Sequence, residues 1–132
     1  MDYAALLKKY INVCVHEGGS DLHFSTGAHP TVRVSGSLSP MLKEDILTAE
    51  DTMGFAHVLL TPEQEKRFLV LQEMDFAYET EDGTRFRGNT YFQRGAVSIA
   101  LRLIPKSIRT LAELNIPDVV ASFARRSQGF FL

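Results

Sequence analysis

Thr84-Arg85-Phe86-Arg87-Gly88-Asn89-Thr90-Tyr91-Phe92-Gln93-Arg94-Gly95-Ala96-Val97-Ser98-Ile99-Ala100-Leu101-Arg102-Leu103-Ile104-Pro105 is the stretch that decides the fold. Apolar and polar residues alternate on both sides of Arg94-Gly95, the period of a half-buried strand. A two-residue turn there sets Phe86 against Leu103, Gly88 against Leu101, Thr90 against Ile99 and Phe92 against Val97. The other face then pairs Arg87 with Arg102, Asn89 with Ala100 and Tyr91 with Ser98. A three-residue loop would set Phe86 against Arg102 and mix the faces, because a one-residue slip turns every side chain over. Arg-Gly is a less favoured turn than Asn-Gly, but the two-residue closure is the one that sorts the faces. It puts two arginines opposite each other, and like charges across a ladder are unfavourable. Two unit charges about 5 Å apart repel by roughly 1 to 3 kcal/mol, depending on how wet the site is. The pattern therefore calls for an anion.

Working outward, Met74–Glu79 alternates as a third strand, and Glu81-Asp82-Gly83 suits a three-residue loop with Gly83 in the left-handed conformation. That register sets Phe76 against Gly88 and Tyr78 against Phe86, with Asp75, Ala77 and Glu79 against Asn89, Arg87 and Arg85. The polar face then holds Arg85, Arg87 and Arg102, bordered by Asp75 and Glu79. The plainer reading is a solvated face of paired charges, which contributes little to stability. The functional reading is an anion site, since the rigid guanidinium fork suits phosphate, with Asp75 and Glu79 orienting the arginines.

Further upstream, Leu6, Leu7, Tyr10, Ile11, Cys14 and Val15 recur at helical spacing over Asp2–Glu17, with Asp2 as cap and Gly18-Gly19 as stop. Asp21–Ser25 reads as a short strand whose Asp21, His23 and Ser25 form a polar edge. Thr31–Val34 and Ser37–Leu42 form a hairpin around Ser35-Gly36. Thr48 with Asp51, and Thr61 with Pro62 and Gln64, open two helices with capping boxes, the second running to Leu71 or Gln72. After Pro105, residues 106–117 suit a linker with a short helical turn at Leu111 and Leu114. Pro117-Asp118 opens a further helix through Arg125. Gly129-Phe130-Phe131-Leu132 reads as the start of a strand of a second domain.

The composition narrows the function. With 132 residues and 45% apolar side chains, the chain holds one packed domain plus a tail. A net charge of −2 excludes a globally basic nucleic-acid binder. Cys14 is the one cysteine and reads as a buried thiol, so no intrachain disulfide is possible. No apolar run is long enough to span a membrane. Among His16, His23, His29 and His57 no metal-ligand spacing occurs. Ser20, Asp21 and His23 have the residue types of a catalytic triad. As strand neighbours, however, Ser20 and Asp21 point to opposite faces. Gly18-Gly19-Ser20 follows a helix and lacks the lysine of a phosphate loop.

Gly18-Gly19-Ser20-Asp21-Leu22-His23 resembles the Gly-Ala-Ser-Asp-Leu-His signature of the type IV pilus retraction ATPases of PilT type, in the type II/IV secretion ATPase superfamily. Pro30–Gly36, Arg85–Asn89 and Leu101–Pro105 are similar to the same proteins in the same order, and Leu111–Pro117 resembles their interdomain linker. The short lead-in before the first helix favours the retraction type over assembly or secretion relatives. Three departures stand out: Gly19 for alanine, His29 for the first of two prolines, and Gly88 for a β-branched residue, a change expected to loosen the strand beside Arg87.

The resemblance implies an α+β fold: a PAS-like antiparallel sheet with helices on one side over residues 1–105, a linker over 106–117, and the start of a RecA-like ATPase domain over 118–132. It implies that Arg87 and Arg102, with Arg85 as a weaker candidate, reach the phosphates of ATP bound with Mg in the whole protein. It also implies a homohexamer in which this domain meets RecA-like domains of its own and the neighbouring subunit. A cytoplasmic position at the inner membrane, against the pilus platform protein, goes with it. No nucleic acid or membrane insertion is implied. Without Walker motifs, these 132 residues are not expected to hydrolyse ATP or bind it tightly by themselves. The alternatives are a free-standing PAS-like module that senses an anion and an adaptor whose arginines make protein contacts.

Overall fold

The computed structural model describes residues 1–130 and 132. The elements run α1 (Tyr3–His16), β1 (Asp21–Ser25), β2 (Thr31–Val34), β3 (Ser37–Pro40), α2 (Ala49–Leu59), α3 (Pro62–Leu71), β4 (Glu73–Glu79), β5 (Arg85–Gln93), β6 (Ala96–Ile104) and α4 (Val119–Ala124). The six strands form one sheet in the order β3-β2-β1-β6-β5-β4, and the assigned pairs are antiparallel.

Each of the first three helices starts where its cap chemistry dictates. Asp2 accepts a hydrogen bond from the Ala5 backbone N–H at 3.0 Å. Thr48 and Asp51 cap α2 reciprocally, as do Thr61 and Gln64 for α3, so two orphan N–H groups are satisfied at each end. Gly18, with φ of +64°, ends α1 in the left-handed conformation.

All three helices bury their apolar faces against one side of the sheet. Leu7, Tyr10, Ile11 and Cys14 of α1, Phe55 and Leu59 of α2, and Phe68 of α3 meet Leu22, Phe24, Val32, Phe76, Phe86, Ile99 and Leu101 from the strands. Phe24 and Phe55 stack with ring centroids 4.7 Å apart, and Phe68 stacks on Phe92 at 5.0 Å. Aromatic pairs of this kind add stabilisation beyond the area they bury. Cys14 is fully buried, and burial pushes its thiol pKa up.

The β4–β5–β6 registers are those expected from the alternation, from Glu79 opposite Arg85 to Gln93 opposite Ala96. Arg94 (φ +51°) and Gly95 (φ +79°) both take the left-handed conformation, which is the two-residue turn that matches strand twist. Two expectations are corrected. Asp21–Ser25 is not an edge: β1 pairs with β2 on one side and β6 on the other. Nor is β5 loosened at Gly88. A Cβ there would lie 2.2 Å from Cζ of Phe76, so the Phe76 ring fills the place a side chain would take and the strand is paired across its length.

After Ile104 the chain leaves the sheet. Leu111–Asn115 makes a turn and α4 follows, with no buried residue. No strand is assigned at Gly129, Phe130 or Leu132, and Phe131 of the expected strand lies outside the described residues.

The Phe76–Gly88 contact generates a prediction. Gly88→Val should destabilise the chain by about 1 to 3 kcal/mol, because overpacking against a ring outweighs the better strand propensity of valine. Urea midpoints check it, and Gly88→Val combined with Phe76→Leu should recover most of the loss.

Candidate functional site: a charged row across the open sheet face

The sheet face away from the helices carries the site, and register builds it. Asp21 lies opposite Arg33 on one side and Arg102 on the other, Arg102 lies opposite Arg87, and Arg87 lies opposite Ala77. Adjacent strands are about 4.8 Å apart. Arg33, Asp21, Arg102 and Arg87 therefore form one continuous row across β2, β1, β6 and β5.

The members of the row are unequally committed. The Asp21 side chain is only 8% exposed. Its Oδ1 accepts a hydrogen bond from Arg102 Nε at 2.8 Å, its Oδ2 accepts one from Ser20 Oγ at 2.8 Å, and Arg33 Nε sits 3.4 Å from Oδ2. Arg33 is also tied to the β2–β3 turn, donating from Nη1 to the Gly36 carbonyl at 3.0 Å. Arg102 keeps 73% of its side chain exposed despite its ion pair. Arg87 is exposed and, among the described residues, has no ion pair or side-chain hydrogen bond. Burial pushes the Asp21 carboxyl pKa up. The hydrogen bonds from Ser20 and Arg102, the Arg102 charge and the nearby His23 outweigh burial and hold it below the usual carboxylate value.

The structure thus brings Arg87 and Arg102 together as expected and leaves Arg85 one step away, 3.8 Å from Glu79. The expected role of Asp75 and Glu79 holds only at Arg85, which Glu79 pairs with, and is corrected for the facing pair. Asp75 accepts a hydrogen bond from the Asn89 amide at 3.1 Å, and the residue of β4 level with Arg87 is Ala77, so neither carboxylate is level with Arg87 or Arg102. The partner of Arg102 is Asp21, which the sequence reading placed on a polar edge. Arg33 was missed as well, although its alternation with Val32 and Val34 put it on a polar face.

Ser20 precedes β1, so the opposite-face rule for strand neighbours does not apply and its hydroxyl reaches Asp21. That bond runs from hydroxyl to carboxylate with no imidazole between, the wrong order for a proton relay. His29 and His57 have partners of their own, the Glu44 carbonyl and Glu65.

One step along the strands the second row reads Thr31, His23, Ala100, Asn89 and Asp75. His23 Nε2 is buried without a hydrogen-bond partner. Burial pushes the His23 pKa down; Asp21 opposes this, and Arg33 and Arg102 reinforce it. Two exposed arginines at directly opposed positions, one of them without a side-chain partner among the described residues, suit a polyphosphate or another oxyanion.

The six-stranded antiparallel sheet with its helices on one side defines a class: the fold is that of the N-terminal region of type II/IV secretion ATPases. Over 125 residues the chain is 30% identical to the type IV pilus ATPase PilU of Pseudomonas aeruginosa, covering 95% of this chain and 32% of that protein. The structure of the pilus retraction motor PilT with bound ADP superposes with a TM-score of 0.74 at 32% identity, covering 88% of this chain and 34% of that one. The Legionella pneumophila ATPase DotB shares the fold, with a TM-score of 0.75 at 21% identity over 95% of this chain and 36% of that one. No family model matches. The chain is homologous over most of its length to the type IV pilus ATPases PilT and PilU, and it spans about a third of the length of the relatives it matches.

His23 makes a testable element of this face. Its folded-state pKa is lowered, so the unfolded chain takes up the proton first as pH falls through about 6.5. Stability is full above that value and declines below it. Denaturant midpoints measured between pH 7.5 and 5.5 should fall more steeply for the wild type than for His23→Gln.

Proposed function

We propose that this chain is the N-terminal part of a hexameric motor ATPase that drives type IV pilus retraction and twitching motility. Arg87 and Arg102 contribute to binding the phosphates of ATP in the whole protein, with Arg85 as an outlying contributor. The observation that carries this reading is the direct opposition of two exposed arginines, with one carboxylate nearby that is already shared with Arg33. Homology over most of the chain to pilus ATPases supports it, as does the likeness to a PilT solved with ADP.

In this reading residues 1–105 form a PAS-like domain, residues 106–117 a linker, and residues 118–132 the start of a RecA-like domain. Bound ATP with Mg supplies the phosphoanhydride to be cleaved and part of the charge neutralisation. The chain's own residues bind and orient phosphate oxygens: Arg87 and Arg102 present their N–H donors from a rigid ladder and place positive charge where negative charge gathers. The outer faces serve contacts with RecA-like domains of the same and the neighbouring subunit. The motor works from the cytoplasmic side of the inner membrane at the pilus base, against the platform protein. Among the described residues no helix is long and apolar enough to cross a membrane.

Steady-state ATPase assays on the whole protein test this. Arg87→Ala and Arg102→Ala should each lower turnover roughly 10-fold or more, as loss of a preorganised donor does, while leaving the circular dichroism spectrum and hexamer unchanged. Wild-type turnover in both variants would sink the proposed role.

A further inference from the structure

Behind the two exposed arginines lies a carboxylate that is almost fully enclosed, and its use of Arg102 is selective. We infer that Asp21 is a positioning residue: it holds Arg102 by Nε alone, so that both Nη groups of that guanidinium stay available to phosphate oxygens. This rests on the proposed nucleotide role of Arg102.

Three observations carry it. First, the bond is side-on: Arg102 donates from Nε to Asp21 Oδ1 at 2.8 Å, and no Nη of Arg102 has a protein partner among the described residues. An end-on pair would have consumed the fork that recognises phosphate. Second, Asp21 cannot easily turn away. It sits on a strand paired on both sides, its second oxygen accepts from Ser20 Oγ at 2.8 Å, and Arg33 Nε braces the same oxygen at 3.4 Å. Third, Asp21 does not neutralise the row, because one carboxylate stands among Arg33, Arg102 and Arg87. An exposed arginine normally loses rotamer freedom when it binds a ligand. One held at Nε has already lost most of it, whereas Arg87 has no such hold among the described residues.

The experiment is a double-mutant cycle on the whole hexamer with Asp21→Asn and Arg102→Ala, read two ways. Isothermal titration with AMP-PNP, which is not turned over, gives affinity, and steady-state ATPase gives kcat and KM. Asp21→Asn should weaken AMP-PNP binding roughly 3- to 10-fold, the cost of ordering one long side chain, and lower kcat. In the Arg102→Ala background it should have no further effect on either quantity. Tighter AMP-PNP binding by Asp21→Asn would overturn the inference, since it would mean that the carboxylate only offsets positive charge. So would equal losses with and without Arg102, which would mark a general structural role.

If Asp21→Asn does not fold, Asp21→Glu answers the same question. It keeps the charge but moves the carboxylate by one methylene, leaving the Arg102 fork intact but misplaced, so it should show a loss of affinity that vanishes in the Arg102→Ala background, and wild-type binding by Asp21→Glu would overturn the inference. The two readings can fail separately. Wild-type behaviour of Arg102→Ala removes the nucleotide role and the inference with it, whereas loss in Arg102→Ala beside wild-type behaviour of Asp21→Asn removes the inference alone.

Discussion

The pairing of β1 with β6 is the constraint on which the rest depends. It joins two locally built units, the β1–β2–β3 run and the β4–β5–β6 run, into one sheet. It also sets the only buried carboxylate of the described residues between two guanidinium groups. An ionised carboxylate out of water is costly unless it is paired and hydrogen-bonded. Asp21 meets that condition through partners from both neighbouring strands and from the residue before it. A slip of β1 by one residue would turn Asp21 into the core and Leu22 out of it, so the charge and the apolar pattern enforce the same register.

The hairpins were legible in the sequence because their information is local. Alternation across Arg94-Gly95 and across Glu81-Asp82-Gly83 admits one closure that keeps the faces sorted, and both registers follow from it. The helix starts were legible for the same reason, since a cap and its partner lie three residues apart. The partner of Arg102 was not legible. Asp21 lies 81 positions away in the chain, and nothing in the alternation of β6 says which strand will lie on its free side. Asp75 and Glu79 looked like the partners because they were the carboxylates on the one neighbouring hairpin that could be drawn. They sit two strands from Arg102, on the far side of β5. Arg33 showed its polar face in the sequence, but a lone arginine on a short hairpin has no meaning until β1 is known to lie beside it.

Two glycines beside the charged row carry a second lesson. At Gly88 the ring of Phe76 from the next strand fills the space that a side chain would take. At Gly19 a Cβ would stand 2.5 Å from Cγ1 of Val32 and 2.9 Å from Sγ of Cys14. The end of α1 therefore approaches β2 closely, and that approach sets where Ser20 and Asp21 enter the sheet. Gly88 reads as a weak point of its strand when it is taken one position at a time. In three dimensions each glycine is matched by a larger neighbour, and both lie next to the charged row, at Arg87 and at Asp21.

Along that row commitment falls in one direction. Among the described residues, Arg33 is bound at both Nε and Nη1, Arg102 at Nε only, and Arg87 at neither. Beyond Arg87 comes Ala77, which brings no charge and little bulk. The unsatisfied positive charge is therefore not spread over the face but concentrated where β6 meets β5, at the pair whose mutual repulsion first called for an anion. An anion bound there would offset a repulsion that is otherwise eased only by the side chains moving apart, because both backbones are fixed by their hydrogen bonds. Binding and relief of repulsion would then be one event, and the energy available to a phosphate at this pair would include what the fold spends in holding the arginines opposite each other without it.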